Sequence, residues 1–267
     1  MIVAFHYRQP FTRQLAMAEA LKKGIGGDEI AIFQGGGRYA IADALVLYGV
    51  GGINRDIWDA YEGKPRILID KGYARKGFMR VTVNEFHPLK WLAEANPPAD
   101  RLLATGWEPI AYGYGEGGDH ILLDGLSGKY CHWMKMDRFA WIDDTIRAIR
   151  SVTDKPILFR PRPSHNPPPP VPNGTILDVG PLSESLARAY LVVSHGGNLG
   201  CDAVIKGIPH VALGPSPASC VSSDDVGFKV VPSDRERHRW MKALAYCQYS
   251  MDEIADGTMW KWVRAQL

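Results

Sequence analysis

The sequence predicts an α/β fold with two parallel sheets, each covered by helices, and further helices at the C-terminus. Short apolar strands alternate with helical segments from the first residues onward, an order that is typical of parallel sheets. A glycine-rich stretch at residues 112–118 separates the earlier strands from the later ones. A strand, a glycine turn and a helix follow one another at residues 190–205. We therefore expect one lobe over residues 1–115, a second over 116–232 and terminal helices over 233–267.

In the first lobe, short apolar runs predict the strands, and small or polar residues mark where they end. The predicted strands cover residues 2–5, 29–33, 44–48 and 66–69. Thr12 is a suitable cap for a helix over residues 13–23, which Gly24 ends. Glycine runs at residues 24–27 and 35–37 predict turns between these elements.

The second lobe repeats this alternation after the glycine-rich stretch. The predicted strands cover residues 120–123, 156–159, 175–177, 190–193 and 210–212, with a helix over 140–150. Four prolines at residues 167–170 predict a polyproline segment at the surface. Ser233 and Glu236 form a capping-box pattern for a terminal helix, and Ser250 begins another that Gly257 interrupts.

Composition limits the class of protein. With 46% hydrophobic and 22% charged residues, the chain has enough apolar side chains for a core. It contains no run of about 18 apolar residues, so we expect no membrane span. Residues 1–6 lack a basic leader and predict a first strand instead of a signal peptide. The four cysteines have no metal-ligand spacing, and we expect reduced thiols in a cytoplasmic protein. The net charge of +2 neither requires nor excludes a polyanionic partner.

The most informative segment is the turn formed by Ser194, His195, Gly196 and Gly197, with the helix that begins near Asn198. Glycines let the backbone turn tightly and approach a ligand without a Cβ in between. The first N–H groups of the following helix carry about half a positive charge and suit a phosphate. The sequence therefore predicts a phosphate-binding turn. The alternative is an ordinary strand-to-helix connection that binds no ligand.

Two further segments carry groups that suit phosphate. Arg160 and Arg162 leave the strand predicted at 156–159, at the end where open α/β sheets bind ligands, and guanidinium groups pair with diphosphates in a bidentate way. Gly125 and Lys129 lie in the loop after strand 120–123, where N–H groups and a lysine suit phosphate contact. This loop lacks the spacing of a Walker A motif. The alternative for the arginines is a surface pair held by prolines.

The turn at residues 194–198, together with Asp202 on the following helix, resembles the donor site of GT-B glycosyltransferases, a superfamily with two Rossmann-like lobes. In that superfamily a His/Ser-Gly turn meets the donor phosphates, and an acid on the next helix, more often glutamate than aspartate, bonds the ribose. Residues 155–165 resemble the strand and RPHP segment of capsule-type members, with Arg162 at the histidine position.

The resemblance implies a glycosyltransferase that uses a nucleotide-diphosphate sugar as co-substrate, with a UDP-sugar as the first candidate. It implies neither a permanently bound cofactor nor a metal, and the sequence contains no DxD motif of the metal-dependent type. The donor would contact Arg160, His195, Gly196, Gly197 and Lys129, and its ribose would contact Asp202.

Strand ends in the first lobe supply candidate general bases. Inverting sugar transfer to a hydroxyl needs a base that takes the proton while the nucleotide diphosphate leaves. Asp70 follows the strand at 66–69, where a carboxylate faces a ligand cleft, and is the first candidate. Asn84 and His87 also follow a strand, and His6 is equally well placed. The alternative for each residue is a capping or hydrogen-bonding role in the fold.

A finer resemblance concerns the acceptor. Residues 69–73, 83–88 and 243–248 resemble small transferase-like proteins of tailed phages, which are thought to modify hydroxymethylated bases in phage DNA. This implies a 5-hydroxymethylpyrimidine in DNA as acceptor, flipped out of the duplex, and a location in the host cytoplasm. Basic residues interleaved with aromatic ones suit a nucleic-acid groove, although a solvated loop is the alternative. These residues are Lys71, Arg75, Lys76 and Arg80 with Tyr73 and Phe78.

Two other functions stay open at the level of sequence. In the first, the donor site is the same and the acceptor is a capsule or other surface saccharide. In the second, the chain is a nucleotide- or DNA-binding module that has the GT-B shape without catalysis, since fold alone does not establish activity.

Overall fold

The computed structural model describes residues 1–7, 12–34, 42–73, 77–107, 117–162 and 170–267. Its contacts divide the chain into two compact units, one formed by Met1–Pro88 with Leu244–Leu267 and the other by Leu89–Ala243. The second compact unit begins at Leu89, before the lobe boundary predicted after residue 115. These units are defined by contacts, and the lobe boundaries expected from the sequence stay predictions. No helix in the described ranges combines the length and apolar character needed to cross a bilayer.

Eleven strands are present among these residues. They are β1 (Ile2–Tyr7), β2 (Glu29–Gln34), β3 (Ala44–Tyr48), β4 (Arg66–Lys71), β5 (Phe78–Val83), β6 (His120–Gly125), β7 (Ile157–Pro161), β8 (Ile176–Leu177), β9 (Ala189–Ser194), β10 (His210–Ala212) and β11 (Gln248–Ser250).

The same ranges contain eleven α-helices and a 3₁₀ turn at Ser219–Val221. The helices are α1 (Thr12–Gly24), α2 (Asn54–Ala60), α3 (Leu89–Glu94), α4 (Asp100–Ala104), α5 (Gly128–Met134), α6 (Arg138–Arg150), α7 (Leu182–Ala187), α8 (Asn198–Ile205), α9 (Asp234–Ala245), α10 (Met251–Ala255) and α11 (Thr258–Arg264).

The first unit contains a six-stranded sheet in the order β11-β5-β4-β3-β1-β2. Strands β1 to β4 pair in parallel, as predicted, whereas β5 is antiparallel to β4 and β11 is antiparallel to β5. The reversal follows from chain length, because the few residues between β4 and β5 are too short for the crossover that parallel pairing requires.

The second unit contains a five-stranded sheet in the order β10-β9-β6-β7-β8, and every pair in it is parallel. Its central strand β6 is buried along its whole length. Ile121 and Leu123 pack into the cluster on one face, and Leu122 packs into the cluster on the other. A central parallel strand covered on both faces reads as a continuous apolar run, and this is why residues 121–123 predicted a strand so clearly.

The C-terminal helices of the first unit pack on its first helix. Residues Ile254, Met259 and Val263 share a buried cluster with Leu21 of α1. The backbone carbonyl of Ile254 occupies the place where a Cβ on Gly24 would stand. Glycine at the end of α1 therefore permits the close approach of α1 and α10. The capping box predicted at Ser233 is confirmed by its reciprocal bonds with Glu236, and the helix predicted to begin at Ser250 also starts with a capping box, formed with Glu253.

Some predicted features lie outside the described residues. These are the turn at 35–37, most of the glycine-rich stretch at 112–118, the basic residues Arg75 and Lys76, the end of the RPHP-like segment at 163–165 and most of the prolines at 167–170.

We predict that Gly24→Ala lowers the free energy of unfolding of the first unit by about 2–3 kcal/mol, because α1 and α10 must separate to admit the methyl group. Gly27→Ala is the matched control, since nothing lies within 4 Å of its Cβ position, and it should change stability by less than about 0.5 kcal/mol. Urea unfolding of both variants measures the difference. Equal stabilities would contradict the packing described for α1.

Candidate functional site

The second sheet has a topological switch point beside β6. From this first strand the chain places β7 and β8 on one side and β9 and β10 on the other. The connections that leave the C-terminal ends of β6 and β9 therefore part in opposite directions and leave a crevice, which is where open α/β sheets bind ligands. Asp124 lies near the C-terminal end of β6 at this point, and the turn at residues 195–197, called the His195 turn below, follows β9.

Both glycines of the His195 turn are required by lack of space. A Cβ on Gly196 would collide with the hydroxyl of Tyr130 and the carbonyl of Pro215. A Cβ on Gly197 would collide with a carboxylate oxygen of Asp124. Gly197 is the N-cap of α8 in an extended conformation, with φ of −86° and ψ of 168°, and no side-chain hydrogen bond is made at the cap. The N-terminus of α8 thus lies at a turn whose own residues Gly196 and Gly197 carry no side chain, and the start of a helix is the kind of place where proteins bind anions.

His195 is held by aromatic rings. Its Nδ1 lies 2.8 Å from the hydroxyl of Tyr130, and its ring meets those of Tyr130 and Trp141 edge to face at 5.6 Å between centroids. Gly214 supports the other side, where a Cβ would collide with the imidazole. Burial lowers the pKa of His195, so the imidazole is neutral at pH 7.

Ser194 stands behind the turn in a buried hydrogen-bond chain with His210 and Ser222. The hydroxyl of Ser222 donates to the carbonyl of Ala218, so its oxygen accepts from Nδ1–H of His210 at 2.7 Å. Nε2 of His210 then accepts from the Ser194 hydroxyl at 2.8 Å. Burial lowers the pKa of His210 to about 3. The side chain of Ser194 is fully buried in this chain and therefore supports the turn from behind.

Asp124 lies on the opposite wall of the crevice. It is the next-to-last residue of β6, one position beyond the pairing of Leu123 with Val193. Its side chain is buried, and Oδ2 has no hydrogen-bond partner among the described residues. Burial raises the pKa of Asp124, and the nearby Arg162 and Arg160 oppose that rise. Nη2 of Arg162 lies 3.2 Å from the Cβ position of Gly197, so this guanidinium also reaches the turn.

Arg160 is engaged by the protein itself. It donates to a carboxylate oxygen of Asp178 at 2.6 Å and to the carbonyl of Gly180 at 3.0 Å. Asp178 also accepts from the hydroxyl of Ser185 at 2.9 Å. Arg162, the first residue after β7, is half-buried and carries no such ion pair in the described ranges. The diphosphate contact predicted for both arginines therefore has its better geometric support at Arg162.

The remaining predicted donor residues surround the same crevice at different depths. Gly125 is buried against β7, where a Cβ would meet the backbone of Arg160 and Pro161. Lys129 is exposed on the first turn of α5, which Ser127 caps through the N–H of Tyr130. Asn198 and Asp202 are half-buried, one turn apart on α8.

In the first unit, Asp70 forms an ion pair with a buried arginine. Asp70 on β4 lies opposite Arg80 on β5 in the antiparallel ladder, and the guanidinium donates to its carboxylate at 3.1 Å. Burial lowers the pKa of Arg80, but the neighbouring Tyr73 and Asp70 outweigh that effect and hold it above the ordinary value. Asp70 keeps 29% of its side chain exposed, so it is accessible to solvent while one oxygen is held in place.

His87 lies on the other side of Arg80. Its Nδ1 accepts from Arg80 at 2.8 Å and lies 2.9 Å from the hydroxyl of Tyr73. The guanidinium packs over the ring of Phe86 at 4.4 Å. His87 is 2% exposed, so the structure places it behind the Asp70–Arg80 pair, where it supports the guanidinium.

Asn84 and His6 lie apart from this cluster. Because β5 runs antiparallel to β4, its C-terminal end lies beside the start of β4, about 13 Å along the strand from Asp70. There the side chain of Asn84 accepts from the N–H of Arg66 at 2.9 Å, in a left-handed conformation with φ of 61°. His6 is buried in β1 with its ring edge-on to Tyr61, and burial lowers its pKa.

Several site residues were not singled out by the sequence analysis. They are Asp124, Tyr130, Trp141 and Gly214. Asp124 had a detectable signal, since a charged residue directly after the buried run 121–123 is unusual. The aromatic rings had none, because only the packing of α5 and α6 brings them to His195. No group of three or more His, Cys, Asp or Glu side chains suited to a metal occurs in the ranges that the structure describes.

Comparison with known proteins rests on structure, because no protein-family model and no curated protein matches the sequence. The fold is similar to that of "Thermosulfurimonas dismutans KpsC, beta Kdo 2,4 transferase", with a TM-score of 0.54 and 9% identity over 92% of each chain. It is also similar to the KpsC beta Kdo 2,7 transferase of the same organism, with a TM-score of 0.55 and 9% identity over the whole of each chain. This likeness confirms the predicted α/β fold with two GT-B-like, Rossmann-like lobes.

We predict that acid destabilises the protein partly through His210. In the unfolded chain His210 is protonated near pH 6.5, whereas in the folded chain it is protonated only near pH 3. Neutral His210 therefore contributes fully to the free energy of unfolding above pH 6.5, and this contribution is lost as the pH falls. At about 1.4 kcal/mol per pH unit, lowering the pH to 5 should cost about 2 kcal/mol from this residue. Urea unfolding at pH 7 and pH 5 measures the loss.

In His210→Gln this part of the loss should be absent, although the variant is less stable at pH 7. His132→Gln, which changes an exposed histidine, is the control and should keep the acid sensitivity of the wild type. An unchanged loss in His210→Gln would contradict the buried, neutral state of His210.

Proposed function

We propose that this protein transfers a sugar from a nucleotide-diphosphate sugar to a hydroxyl group of an acceptor. The observation that carries the proposal is the position of the His195 turn, with Arg162 beside it, at the switch point of a GT-B-like lobe. Two structures with a similar fold are described as beta Kdo transferases, which supports a group-transfer reaction. A UDP-sugar is the first candidate donor.

In the proposed site the diphosphate is bound by three kinds of group, which are backbone N–H groups, a guanidinium and an imidazole. The N–H groups at the start of α8 and the guanidinium of Arg162 supply positive charge. The neutral imidazole of His195 adds polar contact without a further charge. Asp202 is proposed to accept from the ribose hydroxyls, one helical turn beyond Asn198. Lys129, exposed on α5, is a further candidate phosphate contact.

Transfer breaks the bond between the anomeric carbon and the phosphate oxygen while the acceptor oxygen forms a new one. Negative charge grows on the leaving diphosphate, and donors already fixed around it stabilise that charge in the transition state. Asp70 is the proposed base that takes the acceptor proton, and Arg80 holds one of its oxygens in place. His87 and Asn84 are retained as the weaker candidates, because each has a structural partner described above.

For the acceptor we favour a saccharide hydroxyl. The fold is similar to that of Kdo transferases, whereas two members of the basic-aromatic cluster have other roles. Arg80 is buried on Asp70, and the hydroxyl of buried Tyr73 faces His87, so neither side chain is available to a nucleic acid. A 5-hydroxymethylpyrimidine in DNA is the second candidate, supported by the resemblance of residues 69–73, 83–88 and 243–248 to phage proteins.

We predict sugar transfer when the purified protein is incubated with a panel of nucleotide sugars and two acceptor sets, oligosaccharides and hydroxymethylpyrimidine-containing DNA. Mass spectrometry of the products identifies donor and acceptor together. Added sugar mass on an oligosaccharide supports the favoured acceptor, and added mass on a modified nucleoside supports the second. Donor binding with neither transfer nor slow donor hydrolysis would instead indicate a non-catalytic binding module.

We predict that Asp70→Asn lowers the rate of transfer about 10²- to 10⁴-fold, the range expected for loss of a general base, and leaves donor affinity unchanged. Asp56→Asn, an exposed carboxylate on α2, is the matched control and should turn over normally. Single-turnover rates and donor titration separate the two quantities. Normal turnover in Asp70→Asn would remove Asp70 from the mechanism.

We predict the opposite pattern for Arg162→Ala, which should weaken donor binding about tenfold to hundredfold through loss of a charge-assisted contact. Arg147→Ala, which removes a surface arginine that is 77% exposed, should bind the donor like the wild type. Calorimetric titration with nucleotides measures both affinities. Equal affinities in the two variants would place the phosphate away from Arg162.

A further inference from the structure

Asp124 and Asp178 are both buried carboxylates in the second sheet, but their surroundings differ. Asp178 follows β8 and binds Arg160 and Ser185 directly. Asp124, near the end of β6, is 6% exposed, and its Oδ2 makes no hydrogen bond with any described residue. A buried polar group without a partner is rare and destabilising, and in a ligand crevice it points to a role in binding.

The position of Asp124 conflicts with a simple anion site. One of its oxygens packs against Gly197, the residue that caps α8, and Arg162 reaches the same glycine. When no ligand is bound, the negative carboxylate is balanced by these positive groups through space. A phosphate at the turn would compete for the same groups, and two negative charges would then lie in one poorly solvated crevice.

Protonation of Asp124 removes the repulsion between its carboxylate and a bound phosphate. Burial raises the pKa of Asp124 and so favours its neutral form, and the loss of Arg162 to a phosphate takes away an influence that opposes this rise. As a neutral acid, the carboxyl group gains an O–H that can donate to a phosphate oxygen.

We propose that Asp124 takes up one proton when a nucleotide phosphate binds at the His195 turn, while Arg162 exchanges Asp124 for the phosphate. The inference rests on the proposed function, because it needs a phosphate ligand at this turn. For each anionic ligand that binds at the turn, Asp124 binds one proton from the solvent. Donor affinity is thereby coupled to pH through a residue that contributes an uncharged donor to the site.

The other titratable and charged groups that face Asp124 do not account for proton uptake between pH 7 and 9. From β7, Arg160 is paired with Asp178, and Arg162 is a guanidinium that stays charged. From α5, burial raises the pKa of the Cys131 thiol, which therefore stays protonated. In the turn after β9, burial lowers the pKa of His195, which therefore stays neutral.

The test is calorimetric titration of the whole protein with nucleoside mono- and diphosphates, in pairs of buffers that differ in ionisation enthalpy. Between pH 7 and 9 the ligand phosphates have already lost their protons, so uptake reports the protein. We expect wild-type binding to take up a proton and to weaken up to tenfold per pH unit as the pH rises. Asp124→Asn should bind at least as tightly at pH 8.5, with no uptake and no pH dependence.

Asp137→Asn is the matched control, because it changes an exposed carboxylate that caps α6 into an equally good cap, and it should keep the wild-type uptake. Uptake that persists in Asp124→Asn overturns the inference and leaves the proposed function standing. Wild-type affinity that is independent of pH overturns it as well, without any need for a variant. Failure of every nucleotide to bind the wild type overturns the proposed donor site, and this inference with it.

Discussion

The close approach of two loops at the switch point is the constraint on which the second unit depends. The carboxylate of Asp124 and the hydroxyl of Tyr130 occupy the space on one side of Gly197 and Gly196, so any larger residue in the turn would push β9 away from β6 or α5. Gly214 and Gly200 repeat the constraint behind the turn, where they admit the rings of His195 and His210. The backbone N–H groups of α8 are held in position because the side chains around them leave no alternative packing.

The buried histidines illustrate how the fold sets chemical state. His195 and His210 lie fifteen residues apart, and burial lowers the pKa of each, but they have different roles. His210 has both ring nitrogens bound to serine hydroxyls and serves as a rigid support. His195 is supported on one nitrogen by Tyr130 and is half-buried at the crevice. Because both imidazoles are neutral, the positive charge near the turn comes from Arg162 and the N-terminus of α8. These are the groups that an anionic ligand would contact.

The first unit also buries an ionisable side chain, but here the buried group, Arg80, keeps its positive charge. A buried guanidinium is expensive unless its charge and N–H groups find partners. Arg80 finds them in Asp70 on β4 and in His87 and the ring of Phe86, which follow β5. The result is a fixed carboxylate at a strand end, with part of its surface open to solvent. Asp70 and His87, which looked like independent candidates in the sequence, thus belong to one cluster, in which the carboxylate of Asp70 is partly exposed and His87 is buried.

Local patterns in the sequence determined much of the fold, because apolar runs, glycine turns and capping boxes act over a few residues. Strands such as 121–123, the turn at 194–198 and the boxes at Ser233 and Ser250 were all predictable in this way. Tertiary structure alone decided which residues meet. The antiparallel direction of β5 carries Asn84 to the far end of the sheet from Asp70, and the pairing of Arg160 with Asp178 leaves Arg162 beside the turn. The orphan carboxylate of Asp124 likewise arises only where β6 and α8 are brought together, because hydrogen-bond partners depend on distance in space and not along the chain.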